Sequence, residues 1–541
     1  MSDFELIKNK TEYAHLFGNL LKLTIDSRLI LVLGAGVSSD AGLPRWSELL
    51  EKLWKSIFSN DQVNLTIKDL RDNGIENSVI GQLLYDKLKI SLTGNEPNKD
   101  KSLTYIESDW REKIRKYLYE DYETRILPKI KDEDFILKQF APLIKKIPLT
   151  INYNFDDVVE TLLGLEKGES IENPDRSNFH ILFGNEAPSM INGNIYHPNG
   201  YVPHDTKDIS SESIIFTESQ FGKSEQETYI ANRLMYYFQN YVCLFMGTSF
   251  QDPTLKRYLI LNKRHNPGHY HYAIIKKDVF LDQKNLLDYL FDNLNVIPMV
   301  LTTSETAELG RALSLGKDQM ESLLNLPGFK RVYYLVGPPG AGKTTMKKLL
   351  NTVTSVPEWL NLIPAEMLKN SMELNKAESE KVDNFVKDQV RKKSIKIKDY
   401  VFGTVLIDRS PIDAAAFPTK SGRVLKRITN FINIYESFPQ DEKIVNGGLI
   451  YLTADPDTLS RRRASKRYLD IKNQANKKLD LNEKIFQLKD YIKSVYKIDT
   501  TNKSKADVVE EIAKIIFKND YSPINLMEYL NDLKKAFNPK R

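Results

Sequence analysis

Two glycine-rich strings, each directly after a short apolar run, are the parts of this chain best suited to hold phosphate. The first is Gly34-Ala35-Gly36-Val37-Ser38-Ser39-Asp40-Ala41-Gly42-Leu43-Pro44, with Trp46 just beyond. Glycine lets the backbone turn sharply and approach a ligand. A helix opening there aims N–H groups and a positive dipole end at a pyrophosphate. The second, Gly337-Pro338-Pro339-Gly340-Ala341-Gly342-Lys343-Thr344, fits G-x-x-x-x-G-K-[ST] in full, the Walker A pattern. Gly337, Gly340, Ala341 and Gly342 would cradle phosphates with their N–H groups. Lys343 would reach the β- and γ-phosphates of ATP, and Thr344, followed by Thr345, would ligate Mg²⁺.

The first string, a Gly-Ala-Gly followed by Ser and then Ala-Gly-Leu-Pro, resembles the sirtuin signature. Its continuation to Trp46 resembles the bacterial, zinc-free sirtuin-like branch. Three further places carry the same resemblance in order. Asn154-Phe155-Asp156 looks like that branch's Asn-x-Asp element, and Ile195–Tyr201, with His197, like its His-containing strand end. Leu244–Asp252, with Gly247, Thr248, Ser249 and Asp252, looks like the element that lies along the dinucleotide in the family. Together they cover about residues 28–275.

The resemblance implies a Rossmann-like, NAD-binding sirtuin fold that cleaves the nicotinamide–ribose bond, giving ADP-ribose and nicotinamide. Such a bond breaks through an oxocarbenium-like state, which needs polar groups on the ribose and a base or electrostatic partner. Asn154 would orient the ribose or the attacking water, His197 would supply the imidazole, and Asp156 would hold the ribose or fix a loop. Asp156 and Asp157 equally suit a helix N-cap before Val158–Leu163. The sequence departs from the family at Asn199, the position directly before glycine where the family has its catalytic histidine. His197, two residues earlier on the same strand face and roughly 7 Å away, is one replacement. His204 in the following loop is another, and a site with no working imidazole is the third. The single cysteine, Cys243, excludes the four-cysteine zinc module of protein deacylases. Residues 60–145 read as a helical insert in its place. The zinc-free relatives include NAD hydrolases of anti-phage defence.

In the second half, Asp408-Arg409-Ser410 follows an apolar strand and resembles the Asp/Glu-Arg element of thymidylate and deoxynucleoside kinases. The resemblance implies that Asp408 holds Mg²⁺ or accepts a nucleoside proton and that Arg409 pairs with a phosphate. Arg461, Arg462, Arg463 and Arg467 stud one helix and look like the kinases' arginine-bearing lid; a solvated basic face is the plainer alternative. Ile498–Thr501 fits the segment bordering the adenine.

Short apolar runs alternating with helical patterns position these motifs. Arg28–Leu33, Ile147–Ile151, Asn194–Tyr196, Tyr241–Met246 and Tyr270–Ile275 read as strands of one parallel sheet. Arg331–Val336, Thr404–Ile407, Leu449–Leu452 and Val495–Ile498 read as those of a second. Met1–Asp26 reads as an amphipathic helix. The expected fold is α/β: a sirtuin-like domain over 1–310, a linker over 311–328, a P-loop nucleotide-kinase-like domain over 329–520 and a basic helical tail over 521–541.

At 541 residues, 41% hydrophobic and 28% charged, the chain has the balance of a globular protein rather than a disordered one. A net charge of +5 is too small and too interspersed for a double-stranded DNA footprint. No apolar run spans a bilayer, so a cytoplasmic protein is expected. The combined expectation is an NAD hydrolase effector of anti-phage defence, gated by the nucleotide-binding half. Its expected partners are NAD, ATP, a nucleoside or deoxynucleotide, a phage-derived trigger and further copies of itself. Two rivals stand beside it: a nucleoside or nucleotide kinase whose first half only senses NAD or ADP-ribose, and a nucleotide-dependent assembly protein without catalysis.

Overall fold

The computed structural model describes residues 4–10, 12–58, 66–93, 103–165, 179–184, 186–189, 192–207, 210–211, 214–226, 228–277, 284–325, 328–368, 375–399, 403–416, 421–464 and 472–538. The chain is α/β and divides into two compact units. The first comprises Met1–Ile7, Leu23–His265 and Tyr270–Lys317; the second comprises Lys8–Lys22, Asn266–His269 and Asp318–Arg541.

The first unit is built on a seven-stranded sheet. Its strands are β1 (Leu29–Leu33), β2 (Leu149–Asn152), β3 (His180–Leu182), β4 (Asn194–Tyr196), β5 (Val242–Met246), β6 (His271–Lys276) and β7 (Val296–Leu301). Their spatial order is β3-β4-β2-β1-β5-β6-β7, and every pairing is parallel. β1 and β5 are buried throughout, which is why they read as unbroken apolar runs. The chain moves outward from β1 on one side through β2, then returns to β5 on its other side. The strand order thus reverses beside β1, and loops at the carboxyl ends of β2, β1 and β5 face a common crevice. Between β1 and β2 lies the helical insert, including Asn77–Thr93 and Leu103–Leu118. Trp110 and Ile114 are fully buried in it.

The second unit has a five-stranded parallel sheet: β8 (Arg331–Val336), β9 (Thr354–Val356), β10 (Thr404–Asp408), β11 (Gly448–Thr453) and β12 (Val495–Asp499), in the order β12-β11-β8-β10-β9. Its central strand β8 runs directly into the loop 337–342. The N-terminal amphipathic segment is two helices, Glu5–Asn9 and Ala14–Ile25, rather than one. Asn19 Oδ1 accepts the Thr404 N–H at the start of β10 at 2.5 Å. The segment read as a linker over 311–328 holds the end of the helix Thr303–Ser314, which a Thr302/Glu305 capping box opens, and the helix Lys317–Leu324. The basic C-terminal segment is a packing element: in Leu526–Ala536, Tyr529, Leu530 and Leu533 are fully buried in the second core.

Candidate functional site

In the first unit, loops from the carboxyl ends of neighbouring strands interlock. The N–H of Gly34 donates to Met246 O at 3.0 Å, and that of Gly36 to Gly247 O at 2.8 Å. A methyl group on Gly34 would lie 2.7 Å from Gly247 O, and one on Gly36 2.8 Å from Gly247 Cα. The glycines of the two motifs therefore permit backbone-on-backbone packing between loops. Ala35 opens the helix Ala35–Asp40 and is exposed; Ser38 is buried within it. Gly42, at φ 95°, follows the helix C-cap in the left-handed conformation, with its N–H bonded to Ser39 O. Pro44 is half-buried. Trp46 begins the next helix and packs edge-on against Phe216, with ring centroids 5.8 Å apart.

Beyond β5, Gly247 and Phe250 both have positive φ, 68° and 56°. For a buried phenylalanine this conformation is strained, at about 1–3 kcal/mol, and such strain gathers at ligand loops. Ser249 Oγ accepts from Gln251 N at 3.3 Å. Asp252 caps the helix Pro253–His265, its Oδ1 accepting from Leu255 N at 2.8 Å, and burial raises its pKa. Thr248 Oγ1 and Asn152 Nδ2 are buried without a hydrogen-bond partner among the described residues. Unmet polar groups at the carboxyl ends of central strands mark where a polar ligand would bind.

Asn154 ties this region together. Its Nδ2 donates to Gly34 O at 3.0 Å, and its N–H to Asn152 Oδ1 at 3.1 Å. Its own carbonyl faces His197 Nδ1 at 2.7 Å, while His197 Nε2 meets Glu160 Oε1 at 2.8 Å. The Asn154 carbonyl can only accept, so Nδ1 donates to it, and Nε2 and Glu160 share the second proton of the pair. Burial alone would lower its pKa, but Glu160 and the Asn154 carbonyl outweigh burial and raise it. His197 is wholly enclosed, and neither nitrogen faces open space. Asp156, two residues after Asn154, is buried, and its Oδ1 accepts the Val158 N–H at 3.2 Å. Burial lifts its pKa from 3.8 to about 6, against the pull of hydrogen bonding. Asn199 Nδ2 donates to Tyr153 O at 2.9 Å. The crevice thus gathers Gly34, Asn154, Gly247 and Thr248, with Asp156 and His197 behind them.

The second unit's candidate site lies where β8 and β10 end. Gly337, Gly340 and Gly342 all have positive φ, as a tight phosphate loop requires, and Ala341 is buried. Lys343 and Thr345 lie in the helix Lys343–Leu349. Lys343 is buried, and its Nζ donates to Gly337 O at 2.7 Å and Pro338 O at 3.1 Å. Burial, reinforced by Arg409, lowers its pKa to about 8. Thr344 Oγ1 donates to Asp408 Oδ2 at 3.1 Å, and Asp408 Oδ1 is a buried oxygen without a partner among the described residues. A hydroxyl beside a carboxylate with an unmet oxygen fits a Mg²⁺ that keeps most of its shell as water and phosphate oxygens. Among the described residues no cluster of three or more His, Cys, Asp or Glu could hold a metal by itself.

Arg409 sits at φ 68°, its Nε bonded to Glu358 and its guanidinium 3.5 Å from Asp413. It borders a pocket open to solvent and lined by Glu358, Trp359, Gln389, Lys393, Arg409 and Asp413 among others. Lys393 Nζ donates to Asp408 O at 3.0 Å, and burial lowers its pKa to about 8. Arg462, expected on a phosphate, is bonded to Thr500 through both terminal nitrogens, at 2.9 and 2.8 Å. Arg467 lies outside the described residues. Glu358, Gln389, Lys393, Glu160 and Tyr119 did not figure in the sequence reading. A signal existed for two of them: Gln389 and Lys393 fall on the stripe of Val386, Val390 and Ile397, where an apolar residue is the rule.

Residues 148–298 match the family model described as "SIR2-like domain". The match supports a sirtuin-type, NAD-related function for the first unit. No curated protein matches the chain. Among solved structures, the thymidylate kinase of Candida albicans is similar at 13% identity, covering 36% of this chain and 98% of that one, with a TM-score of 0.27. The shikimate kinase of Acinetobacter baumannii is similar at 17% identity, covering 35% and 94%, with a TM-score of 0.21. Likenesses this slight bear on neither activity nor ligand. No helix among the described residues is long and apolar enough to cross a membrane.

Proposed function

We propose that the first unit binds NAD across the carboxyl ends of β2, β1 and β5 and hydrolyses its nicotinamide–ribose bond. The observation that carries this reading is the fastening of Asn154 between Gly34 O and the His197–Glu160 pair. Because Nδ2 is committed to a carbonyl, Oδ1 is the part of the amide left to orient a ribose hydroxyl or water. Asp156, ionised above about pH 6, supplies negative charge behind the forming oxocarbenium. His197 acts as a positioning residue that holds the Asn154 backbone. Thr248 and Asn152 supply polar groups for the dinucleotide. In the second unit, the loop 337–342, Lys343 and Thr344 bind ATP, and Thr344 and Asp408 hold Mg²⁺, which neutralises phosphate charge. Nucleotide occupancy there gates the first unit, and NAD depletion in anti-phage defence is the role the combination serves. Asn154→Ala should abolish nicotinamide release while leaving thermal unfolding within a few degrees of wild type. An unchanged rate in that variant sinks the assignment.

A second reading has its own observation. The pocket beside the phosphate loop carries Glu358, a carboxylate able to accept a hydroxyl proton, and the ring of Trp359, a face on which a base could stack. Such a site suits a nucleoside-type phosphoryl acceptor. Transfer of labelled γ-phosphate to a nucleoside, lost in Glu358→Gln, would favour it; absence of transfer across a nucleoside panel would leave the pocket a sensor.

A further inference from the structure

A dinucleotide laid along the crevice has a second ribose, and the strand order says where it falls. The carboxyl ends follow one another as Asn154 beyond β2, Gly34 beyond β1, Thr248 beyond β5 and Lys276 at the end of β6. Neighbouring strands lie about 4.8 Å apart, so the ends of β2 and β6 stand about 14 Å apart across the sheet, the span of an extended dinucleotide. With the nicotinamide ribose at Asn154 and the pyrophosphate at Gly34, the adenosine ribose falls between β5 and β6. Met246 of β5 lies opposite Ile274 of β6, so Lys276 is level with Thr248.

Lys276 does not stand alone there. Its Nζ donates to Asp40 Oδ1 and Oδ2, at 2.6 and 2.5 Å. Asp40 closes the helix Ala35–Asp40, which the first glycine string opens, so the ion pair joins the end of β6 to that string. Both side chains are partly open to solvent, 39% and 33% exposed, and a ligand can reach them. As a structural device the pair is weak: an ion pair this exposed contributes about 0–1 kcal/mol, and a carboxylate at a helix C-terminus opposes the dipole. As a ribose site it is well made. A carboxylate oxygen that holds one ammonium proton keeps a lone pair for a hydroxyl. An ammonium with two protons on Asp40 keeps a third for a ribose oxygen.

We propose that Asp40, held by Lys276, is the residue that makes the first unit select NAD over NADP. The inference rests on the NAD-hydrolase reading above, which sets the direction of the dinucleotide. In NAD the adenosine ribose carries a vicinal diol, whose hydroxyls donate to Asp40 while Lys276 donates to a ribose oxygen. NADP carries a phosphate on the 2′ oxygen, with roughly two negative charges at pH 7. That phosphate meets the Asp40 carboxylate, and like charges brought together in a crevice disfavour the complex well beyond the loss of one hydroxyl contact. Lys276 does not offset the repulsion, because its ammonium is already shared with Asp40. Without the carboxylate the same ammonium favours the phosphate, so one residue decides the sign of the preference.

The test measures steady-state nicotinamide release by the full chain from NAD and, separately, from NADP. Wild type should favour NAD in kcat/KM by about tenfold or more. Asp40→Asn keeps the shape of the side chain and should raise the NADP-to-NAD ratio by about tenfold or more, through KM rather than kcat. Adding Lys276→Met to Asp40→Asn should remove most of that gain in NADP use, which a merely structural ion pair would not do. A ratio unmoved by Asp40→Asn, or a wild type that favours NADP, overturns the assignment while the hydrolase reading stands. If wild type cleaves neither dinucleotide, the hydrolase reading falls, and calorimetric affinities of the same proteins judge Asp40 separately. A preference for NAD that Asp40→Asn reverses then supports the assignment, and a preference absent or unmoved overturns it.

Discussion

Asp156→Asn should stabilise the first unit at neutral pH while lowering its turnover of NAD. The wild-type carboxyl is buried and has its pKa raised from 3.8 to about 6. The folded state therefore binds a proton more tightly than the unfolded chain does. Its contribution to stability is fully present below about pH 4 and is lost as pH rises through 6. Above that, a charged group sits where a neutral one is preferred, at a cost of about 3 kcal/mol. Asparagine removes the charge, keeps the shape and can still accept the Val158 N–H. The gain should approach about 3 kcal/mol at pH 7.5 and vanish near pH 4. Tryptophan fluorescence is a suitable probe, because Trp46, Trp54 and Trp110 lie in the first unit and only Trp359 in the second. Thermal midpoints of both proteins, taken across pH 4 to 8, should diverge upward with pH. Curves that stay parallel, or a variant less stable at pH 7.5, would refute the reasoning.

The other predictions follow from equally local features. Glu160→Ala leaves the His197 imidazolium uncompensated and should cost about 3–5 kcal/mol, whereas Glu160→Gln can pair with the neutral ring and should cost far less above pH 7. Because the His197 pKa is raised, the pair's contribution is complete below about pH 6.5 and is lost as pH rises through the raised value, so fluorescence-monitored unfolding should show that slope in wild type and not in Glu160→Gln. Gly34→Ala forces a methyl to within 2.7 Å of Gly247 O, and overpacking of about 1–3 kcal/mol with reduced NAD affinity should appear in unfolding and binding titrations. Lys343→Ala should abolish stabilisation of the second unit by ATP-Mg²⁺, which at a hundredfold excess over Kd amounts to about 2.7 kcal/mol in wild type. In wild type, ATP affinity measured by calorimetry should fall as pH rises past about 8, where Lys343 loses its proton.

What the sequence made legible follows from which interactions are local. β1, β5, β8, β10 and β11 are buried apolar runs, and their bounds were readable to within a residue or two. β3 and β9 are edge strands of only three residues, too short for an apolar run to stand out. β7 carries Pro298, a residue that argues against a strand except at an edge, and β7 is an edge. The helices over 303–324 were hidden by small and polar residues, although Thr302 and Glu305 form a capping box that spacing alone announces. At the site, the glycine strings and Asn154 were readable because glycine geometry is a property of a short segment. The partners that fix the site were not. Glu160 reaches His197 across 37 positions, Tyr119 reaches Asp157 across 38, and His204 reaches Asp157 across 47. Asp252 has the spacing of a ligand residue and of a helix cap alike, and only its bond to Leu255 N identifies it as a cap.

The most direct test of the central claim is product analysis after the purified full chain is incubated with NAD, with and without ATP-Mg²⁺. The account predicts nicotinamide and ADP-ribose in equal amounts, formed without any acylated acceptor and at a rate that changes with the nucleotide. NAD recovered intact under every nucleotide condition, from a protein that binds it, would contradict the account and leave the first unit a sensor.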